Sequence, residues 1–189
     1  MTLSTLTPAA VEPILHSEDT MRQFLRLEAD ETEQDTLLAA LLAAARAKAE
    51  SFTRRRFITQ TMRLTLDRFC PRIELPVAPI QSVDEVAYQD DAGDWQVVAT
   101  TVWRFVTSRT PAELHLAEGQ SWPIPRLEAA VVRIDLTVGY GDAGTDVPPD
   151  ILQAIRLAAA HAYYNRESAA DGRLPEGARD LLAPHIFWV

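Results

Sequence analysis

The stretch DTLLAALLAAARAKAESFTRRRFITQTMRLTL, residues 35–66, decides the fold because its hydrophobic period changes once along its length. In the first part, apolar residues recur every three or four positions, which predicts a helix with one buried stripe. In the second part, apolar and polar residues alternate, which predicts a half-buried strand. The helical stripe comprises Leu38, Leu41, Leu42, Ala45, Ala49 and Phe52, and the apolar side of the strand comprises Ile58, Met62, Leu64 and Leu66.

Downstream of residue 66, the chain continues with further strand patterns separated by short spacers. Residues 90–94, Asp-Asp-Ala-Gly-Asp, have the composition of a hairpin turn, and residues 131–138 alternate as a last strand. Because no helical pattern intervenes and parallel pairing needs long crossovers, these strands predict an antiparallel sheet. The other predicted strands are Arg72–Leu75, Val83–Tyr88, Trp95–Val98, Val102–Val106 and Glu113–Leu116.

Helical patterns flank the strands on both sides. Upstream, Ser17-Glu18-Asp19 predicts the capped start of a short helix that runs to about Leu27. Downstream, Pro148-Pro149-Asp150 predicts the start of a helix with an alanine-rich stripe. Residues 175–183 predict one more short helix, which Pro184 ends because proline cannot continue the hydrogen-bond ladder.

The sequence therefore predicts an α+β protein, a small helical bundle with an antiparallel β domain inserted between the second and third helices. The predicted parts are an extended N-terminal arm at residues 1–16, helical core at 17–57 and 147–184, the β insertion at 58–140, and a C-terminal tail at 185–189.

Composition limits the classes of partner. The 189 residues carry 47% hydrophobic and 24% charged residues, which is typical of a globular protein, and a formal net charge of −9. Phosphate backbones and anionic lipids repel such a surface, so tight nucleic-acid or membrane binding is not expected. The single cysteine, Cys70, and the lack of a signal-peptide pattern at the N-terminus predict a reducing, cytoplasmic setting.

One motif suggests a cofactor site. Residues 139–144, Gly-Tyr-Gly-Asp-Ala-Gly, follow a strand and satisfy the spacing of a dinucleotide-binding loop. However, two prolines separate them from the next helix, no second parallel strand follows, and Asp142 and Asp146 would repel phosphate. The favoured interpretation is a glycine turn, with no cofactor.

No residue pattern predicts catalysis or metal binding. The four histidines, His16, His115, His161 and His185, lack the pairing or the nearby cysteines of a metal site. Cys70 has no neighbouring base that would activate its thiol. We therefore expect no catalytic residues and no bound metal.

Two segments remain open between a structural and a binding role. Arg54, Arg55 and Arg56 suit the negative end of the preceding helix, but they are also candidates for a phosphate-facing or subunit contact. The apolar tail either packs on its own domain or docks into another protein. The tail residues that would make such a contact are Ile186, Phe187, Trp188 and Val189.

The order of these features resembles the head–tail connector proteins, also called adaptor or head-completion proteins, of long-tailed bacteriophages and gene transfer agents. The resemblance runs from residue 18 to residue 184. After the final Leu-Leu-x-Pro, family members commonly have a basic residue, whereas this chain has His185 and an apolar tail. The segments that carry the resemblance are 18–27, 35–46, 57–61, 72–76, 79–83, 119–123, 138–141, 148–151 and 181–184.

This resemblance implies a non-catalytic ring subunit, present in about a dozen copies beneath the portal protein. The ring would extend the DNA channel, let genomic DNA pass without sequence-specific binding, and provide the platform for stopper or tail-completion proteins. The isolated subunit would be a monomer or a weak oligomer. It would assemble in the bacterial cytoplasm and end in the neck of the particle.

Two other classes of function compete with this interpretation. A small enzyme or ligand-binding protein could build its site from dispersed residues, and a deep polar pocket would favour it. A DNA-binding regulator is disfavoured by the net charge and by the lack of a basic recognition helix.

Overall fold

A computed structural model describes residues 1–14, 19–27, 32–165 and 173–188. Their contacts divide the chain into two compact units. The β unit comprises residues 1–9, 59–139 and the chain end from Phe187, and the helical unit comprises residues 10–58 and 140–186. Along these described residues, no helix is long and apolar enough to cross a membrane.

The β unit contains two antiparallel sheets. Five strands pair in the order β1-β2-β8-β4-β5, and three pair in the order β3-β7-β6. The prediction of antiparallel pairing is confirmed, as is the hairpin turn at residues 90–94, where Asp90 Oδ1 accepts hydrogen bonds from the amides of Ala92 and Asp94. The strands are β1 (Thr2–Thr7), β2 (Gln60–Leu66), β3 (Arg72–Glu74), β4 (Ile80–Gln89), β5 (Trp95–Val97), β6 (Trp103–Val106), β7 (Glu113–Leu116) and β8 (Val132–Val138).

The core of the β unit follows the alternation of its strands. Met62 lies opposite Leu136 and Leu64 opposite Ile134, and all four side chains are buried. Each fully buried side chain of this kind contributes about 1.5–3 kcal/mol of hydrophobic free energy. The other buried members of the cluster are Ile73, Leu75, Val77, Val86, Val98, Leu114 and Val138.

The N-terminal residues were predicted to form an extended arm, and the structure assigns them a role in the sheet. Residues 2–7 form β1, which pairs antiparallel with β2, and Leu3 lies opposite Leu64. The five-stranded sheet therefore combines the N-terminal residues with strands that lie between α2 and α3 along the chain. The predicted insertion alone does not make the whole β unit.

The helical unit contains α1 (Asp19–Leu25), α2 (Asp35–Thr53), α3 (Pro149–Tyr164) and α4 (Glu176–Leu182). Helix α3 packs against each of the other three helices. Small residues line this packing: Ala45 and Ala49 of α2 are buried, as are Ala154, Ala158 and Ala159 of α3. Alanines let the helix backbones approach closely, which explains the alanine-rich stripes in the sequence.

The helix ends follow the predicted signals where the structure describes them. Helix α2 ends at Thr53, and Arg54 adopts a left-handed conformation with a φ of 56°. Pro149 occupies the first turn of α3, and α4 ends at Leu182, before a 3-10 turn at Ala183–His185. The predicted start of α1 at Ser17 and Glu18 lies outside the described residues.

Candidate functional site

The C-terminal segment, residues 183–188, is the candidate site that the sequence singled out, and polar contacts fix its start within the helical unit. Arg55, just beyond the end of α2, donates from Nε to the backbone carbonyl of His185 over 2.6 Å. The imidazole Nε2 of His185 donates to Asp150 Oδ2 over 2.6 Å. The segment is thereby tied to the end of one long helix and to the beginning of another.

Two ionisable groups at this junction, Asp150 and Tyr140, have shifted pKa values. The hydrogen bond from His185 lowers the pKa of Asp150, and the amide of Ile151 also donates to that carboxylate, over 3.0 Å. Burial raises the pKa of Tyr140, whereas the nearby Arg55 guanidinium opposes this effect by stabilising the phenolate. Asp150 therefore remains an anion and an acceptor for His185 under neutral conditions.

The three arginines that follow α2 do not form one patch. Arg54 is exposed, whereas Arg55 and Arg56 are half-buried. Arg55 holds the C-terminal segment, and Arg56 donates to the backbone carbonyl of Arg55 over 3.3 Å. The sequence left open whether Arg55 has a structural role or contacts another subunit or phosphate. In the structure, Arg55 has a structural role, because it binds the C-terminal segment of its own chain.

The apolar tail residues differ sharply in exposure. Phe187 is 1% exposed, Trp188 is 75% exposed and Ile186 is half-buried. Of the two roles that the sequence left open for the tail, Phe187 shows packing on its own chain, because burial of its ring removes apolar surface from water. Val189 lies outside the described residues.

A half-buried ion cluster that the sequence analysis missed stabilises the same helix end, and Glu50 is its buried member. Arg46 contacts both carboxylate oxygens of Glu12, at 2.6 and 3.0 Å, and also donates to Glu50 over 3.2 Å. Burial raises the pKa of Glu50, while the amide of Phe57 donates to its Oε1 over 3.0 Å and favours the anion. The four-residue spacing of Arg46 and Glu50 on a helix predicts that they pair. No sequence pattern near Glu12 predicts its contact with Arg46.

The glycines at residues 139–144 have structural explanations. Gly139 has a φ of 125°, which side chains disfavour. A Cβ at Gly141 would lie 2.2 Å from Asp146 Oδ2, and one at Gly144 would lie 2.0 Å from the carbonyl oxygen of Pro13. Asp146 Oδ2 accepts from the amide of Ala143 over 3.0 Å, so this carboxylate serves the loop itself. The glycine-turn interpretation accounts for each position.

The remaining chemistry-bearing residues are dispersed. His115 hydrogen-bonds to the buried Glu113 and lowers the pKa of that carboxyl group, whereas His161 and the free thiol of Cys70 are exposed. His16 lies outside the described residues. Among residues 1–14, 19–27, 32–165 and 173–188, no cluster of three or more His, Cys, Asp or Glu could hold a metal ion.

A cleft of about 590 Å³ lies within the helical unit. Its described lining contains three cations but neither a carboxylate nor an imidazole that could act as an acid or base. This is not the deep polar pocket that would favour an enzyme. The lining residues are Lys48, Ser51, Phe52, Arg173, Leu174 and Arg179.

Comparisons with known proteins agree on one class. Residues 19–92 match the family described as phage gp6-like head–tail connector proteins. A chain from the neck of an empty gene transfer agent particle, computed with C6 symmetry, is 29% identical with a TM-score of 0.84. A chain from the neck of a native particle, computed with C12 symmetry, is 27% identical with a TM-score of 0.80. Both alignments cover 100% of this chain and 97% of the other.

A third match comes from the virion of a native gene transfer agent particle, at 29% identity and a TM-score of 0.79. No protein with a curated description matches the sequence. The matching family and particles are structural, so the expected resemblance and the expectation of a structural protein instead of an enzyme are confirmed.

Proposed function

We propose that this chain, which is similar to head–tail connector proteins and to neck subunits of gene transfer agents, forms a structural ring beneath a portal protein. The observation that carries the proposal is the extent of the match: one neck chain covers the whole of this chain at a TM-score of 0.84. The C6 and C12 symmetries of the related necks favour a ring of about a dozen copies.

The ring extends the channel through which genomic DNA passes. A net charge of −9 suits this role, because an acidic wall repels phosphate and lets DNA slide. The free subunit should therefore show no measurable affinity for duplex DNA at physiological salt in a fluorescence titration. Tight, salt-sensitive binding would contradict this role and would direct attention to the exposed Arg54.

The portal contact uses the C-terminal end of the chain. Trp188 is the exposed aromatic anchor, and the buried Phe187 holds the anchor in position. Ile186 and Val189 are the other candidate contact residues of the tail. A buried aromatic anchor contributes roughly 2 kcal/mol or more to an interface. Arg55 supports this end through its bond to the His185 carbonyl, and Arg54 is left for a subunit or phosphate contact.

The opposite face of the ring provides the platform for stopper or tail-completion proteins. Assembly takes place in the bacterial cytoplasm, and the mature location is the neck of the particle. Head-to-tail ring contacts use two different patches on each subunit and close only when the rotation between neighbours is correct. The pure protein is therefore expected to be a monomer or a weak oligomer until a portal orders the copies.

Light scattering tests the assembly step. The pure protein should scatter as a monomer or a weak oligomer, and addition of purified portal protein from the same particle should produce a complex that contains multiple copies. A portal protein from an unrelated phage is the control and should recruit none. If the subunit joins its own portal in no stoichiometry, the proposal fails.

A further inference from the structure

Two large apolar side chains project from the β7–β8 loop, which spans residues 117–131. Ile124 is 86% exposed and Leu127 is 103% exposed, the two highest values among the large hydrophobic residues that the structure describes. Single exposed apolar residues are common on protein surfaces. Two such residues three positions apart, in a loop that is itself held in place, indicate a contact surface.

Polar and aromatic contacts fix the conformation of this loop. The ring of Trp122 stacks on that of Phe69 with centroids 4.6 Å apart and planes 1° from parallel, and Trp122 Nε1 donates to the Cys70 carbonyl over 3.0 Å. Farther along, the amide of Arg126 donates to the carbonyl of Gln89 over 3.0 Å. Since the loop is already ordered, a partner that binds it loses little conformational entropy.

These contacts place the loop across one end of the five-stranded sheet. Arg126 binds Gln89, the last residue of β4, and the amide of Ala130 donates to Asp67 Oδ1, just beyond β2, over 2.8 Å. At this end of the sheet, Ile124 and Leu127 form an apolar patch, which we call the loop patch.

One lateral edge of the same sheet is β1, which is unusually open to pairing. Its sequence, Thr-Leu-Ser-Thr-Leu-Thr at residues 2–7, has no charge and no proline, the features that normally keep edge strands from pairing with other chains. Met1 is 65% exposed and Leu6 is 42% exposed.

We propose that the loop patch of one copy docks against the β1 edge of the next copy in the ring. A head-to-tail contact needs two different patches on each subunit, and the strand-end loop patch and the lateral edge at β1 are two different patches of one sheet. The lack of charge on β1 matches an apolar partner. The rotational symmetry of the related necks identifies that partner as a second copy. This inference rests on the proposed ring.

Cysteine cross-linking tests the contact. In a Cys70→Ser background, Leu6→Cys and Leu127→Cys should together give a ladder of multimers beyond the dimer when portal-bound rings are treated with a short bismaleimide. Each single-cysteine variant should give no ladder, because a head-to-tail contact joins unlike sites. The pair Leu6→Cys with Tyr164→Cys, whose second site is 66% exposed on α3, is the matched control and should also give no ladder.

The outcomes separate this inference from the proposed function. If portal-bound rings form and the Leu6–Leu127 pair gives no ladder, the inference is wrong and the ring stands. If a single-cysteine variant gives dimers efficiently, the contact joins like sites and the inference is also wrong. If the unmodified protein forms no rings on its portal, the proposed function fails, and the inference fails with it.

A charge substitution gives an independent readout. Leu127→Asp should abolish ring formation on the portal while the melting temperature stays unchanged, because the side chain is fully exposed in the free subunit. Glu118→Lys, at an exposed position of the same loop, should leave ring formation intact. Normal rings from the Leu127→Asp variant would overturn the inference.

Discussion

The imidazole Nε2 of His185 lies 2.6 Å from Oδ2 of Asp150, and this bond joins the C-terminal segment to the first turn of α3. An anion in the first turn of a helix is already favourable, because it faces the positive end of the helix dipole. The donor of this bond is the side chain of His185, the residue that directly follows Pro184.

This bond predicts an acid-sensitive contribution to stability. The pKa of Asp150 is lowered in the folded protein, so its contribution is fully present above the unfolded value of about 3.8 and is lost as pH falls through the folded pKa. Asp150→Asn should remove that part of the acid sensitivity. Thermal unfolding between pH 2.5 and 6 measures it, with the exposed Asp142→Asn as control. If the Asp150→Asn variant and the unmodified protein lose the same stability as pH falls, the acid sensitivity does not come from Asp150.

The buried Glu50 predicts a difference between two substitutions. Glu50→Ala leaves the amide of the buried Phe57 without its acceptor and should destabilise the protein by about 1–3 kcal/mol. Glu50→Gln keeps an acceptor oxygen at that position and should cost less. Urea unfolding compares the two variants. Equal losses would show that the amide of Phe57 does not depend on this side chain.

The same residue should respond to pH in the opposite sense to Asp150. Because burial raises the pKa of Glu50, the stability linked to its protonated form is present below the unfolded value of about 4.5 and is lost as pH rises through the folded pKa. Glu50→Gln should remove this loss. If the stability of the Glu50→Gln variant falls with rising pH as much as that of the unmodified protein, a group other than Glu50 causes the loss.

The glycines of the 139–144 loop predict large effects from a single methyl group. Gly144→Ala would bring a Cβ to 2.0 Å from the carbonyl oxygen of Pro13, so backbone must move, at a cost of about 1–3 kcal/mol or more. The matched control is Gly177→Ala in α4, where the nearest atom is 3.8 Å away and helix propensity predicts a gain of about 0.5–1 kcal/mol. Calorimetry of both variants provides the test, and a stable Gly144→Ala protein would contradict it.

Local pattern was sufficient to predict most of the elements. The helix at Asp35–Thr53 and the strands at Gln60–Leu66 and Val132–Val138 were predictable because each has a long hydrophobic period that matches the face it buries. The buried face of α2 differs in part from the predicted stripe. Leu41 and Phe52 belong to the predicted stripe but are only half-buried, whereas Glu50 lies outside it and is buried. Periodicity identifies a face of a helix but not the partner that makes a carboxylate tolerable there.

The contacts between distant parts of the chain were not predictable. The pair of Glu12 and Arg46 joins residues 34 positions apart, and no short-range signal marks it. The pairing of β1 with β2 crosses a longer interval, and residues 2–7 carry only a weak alternation. The sequence singled out the C-terminal segment as a candidate site, but it could not tell which of two adjacent aromatics is buried.

That difference between neighbours gives the last prediction. Phe187 is 1% exposed, so Phe187→Ala should destabilise the protein by about 3–5 kcal/mol and lower the melting temperature by roughly 10 °C. Trp188 is 75% exposed, so Trp188→Ala should leave the melting temperature nearly unchanged while it weakens attachment to the portal at least tenfold. Calorimetry and a portal co-sedimentation assay measure the two effects. The control is Trp95→Ala, since Trp95 is 39% exposed on β5, far from the chain end in sequence, and should leave portal attachment intact. If the Trp188→Ala protein melts normally and still binds the portal with full affinity, Trp188 is not the anchor. If the Phe187→Ala protein melts normally, the assignment of Phe187 to the core is wrong.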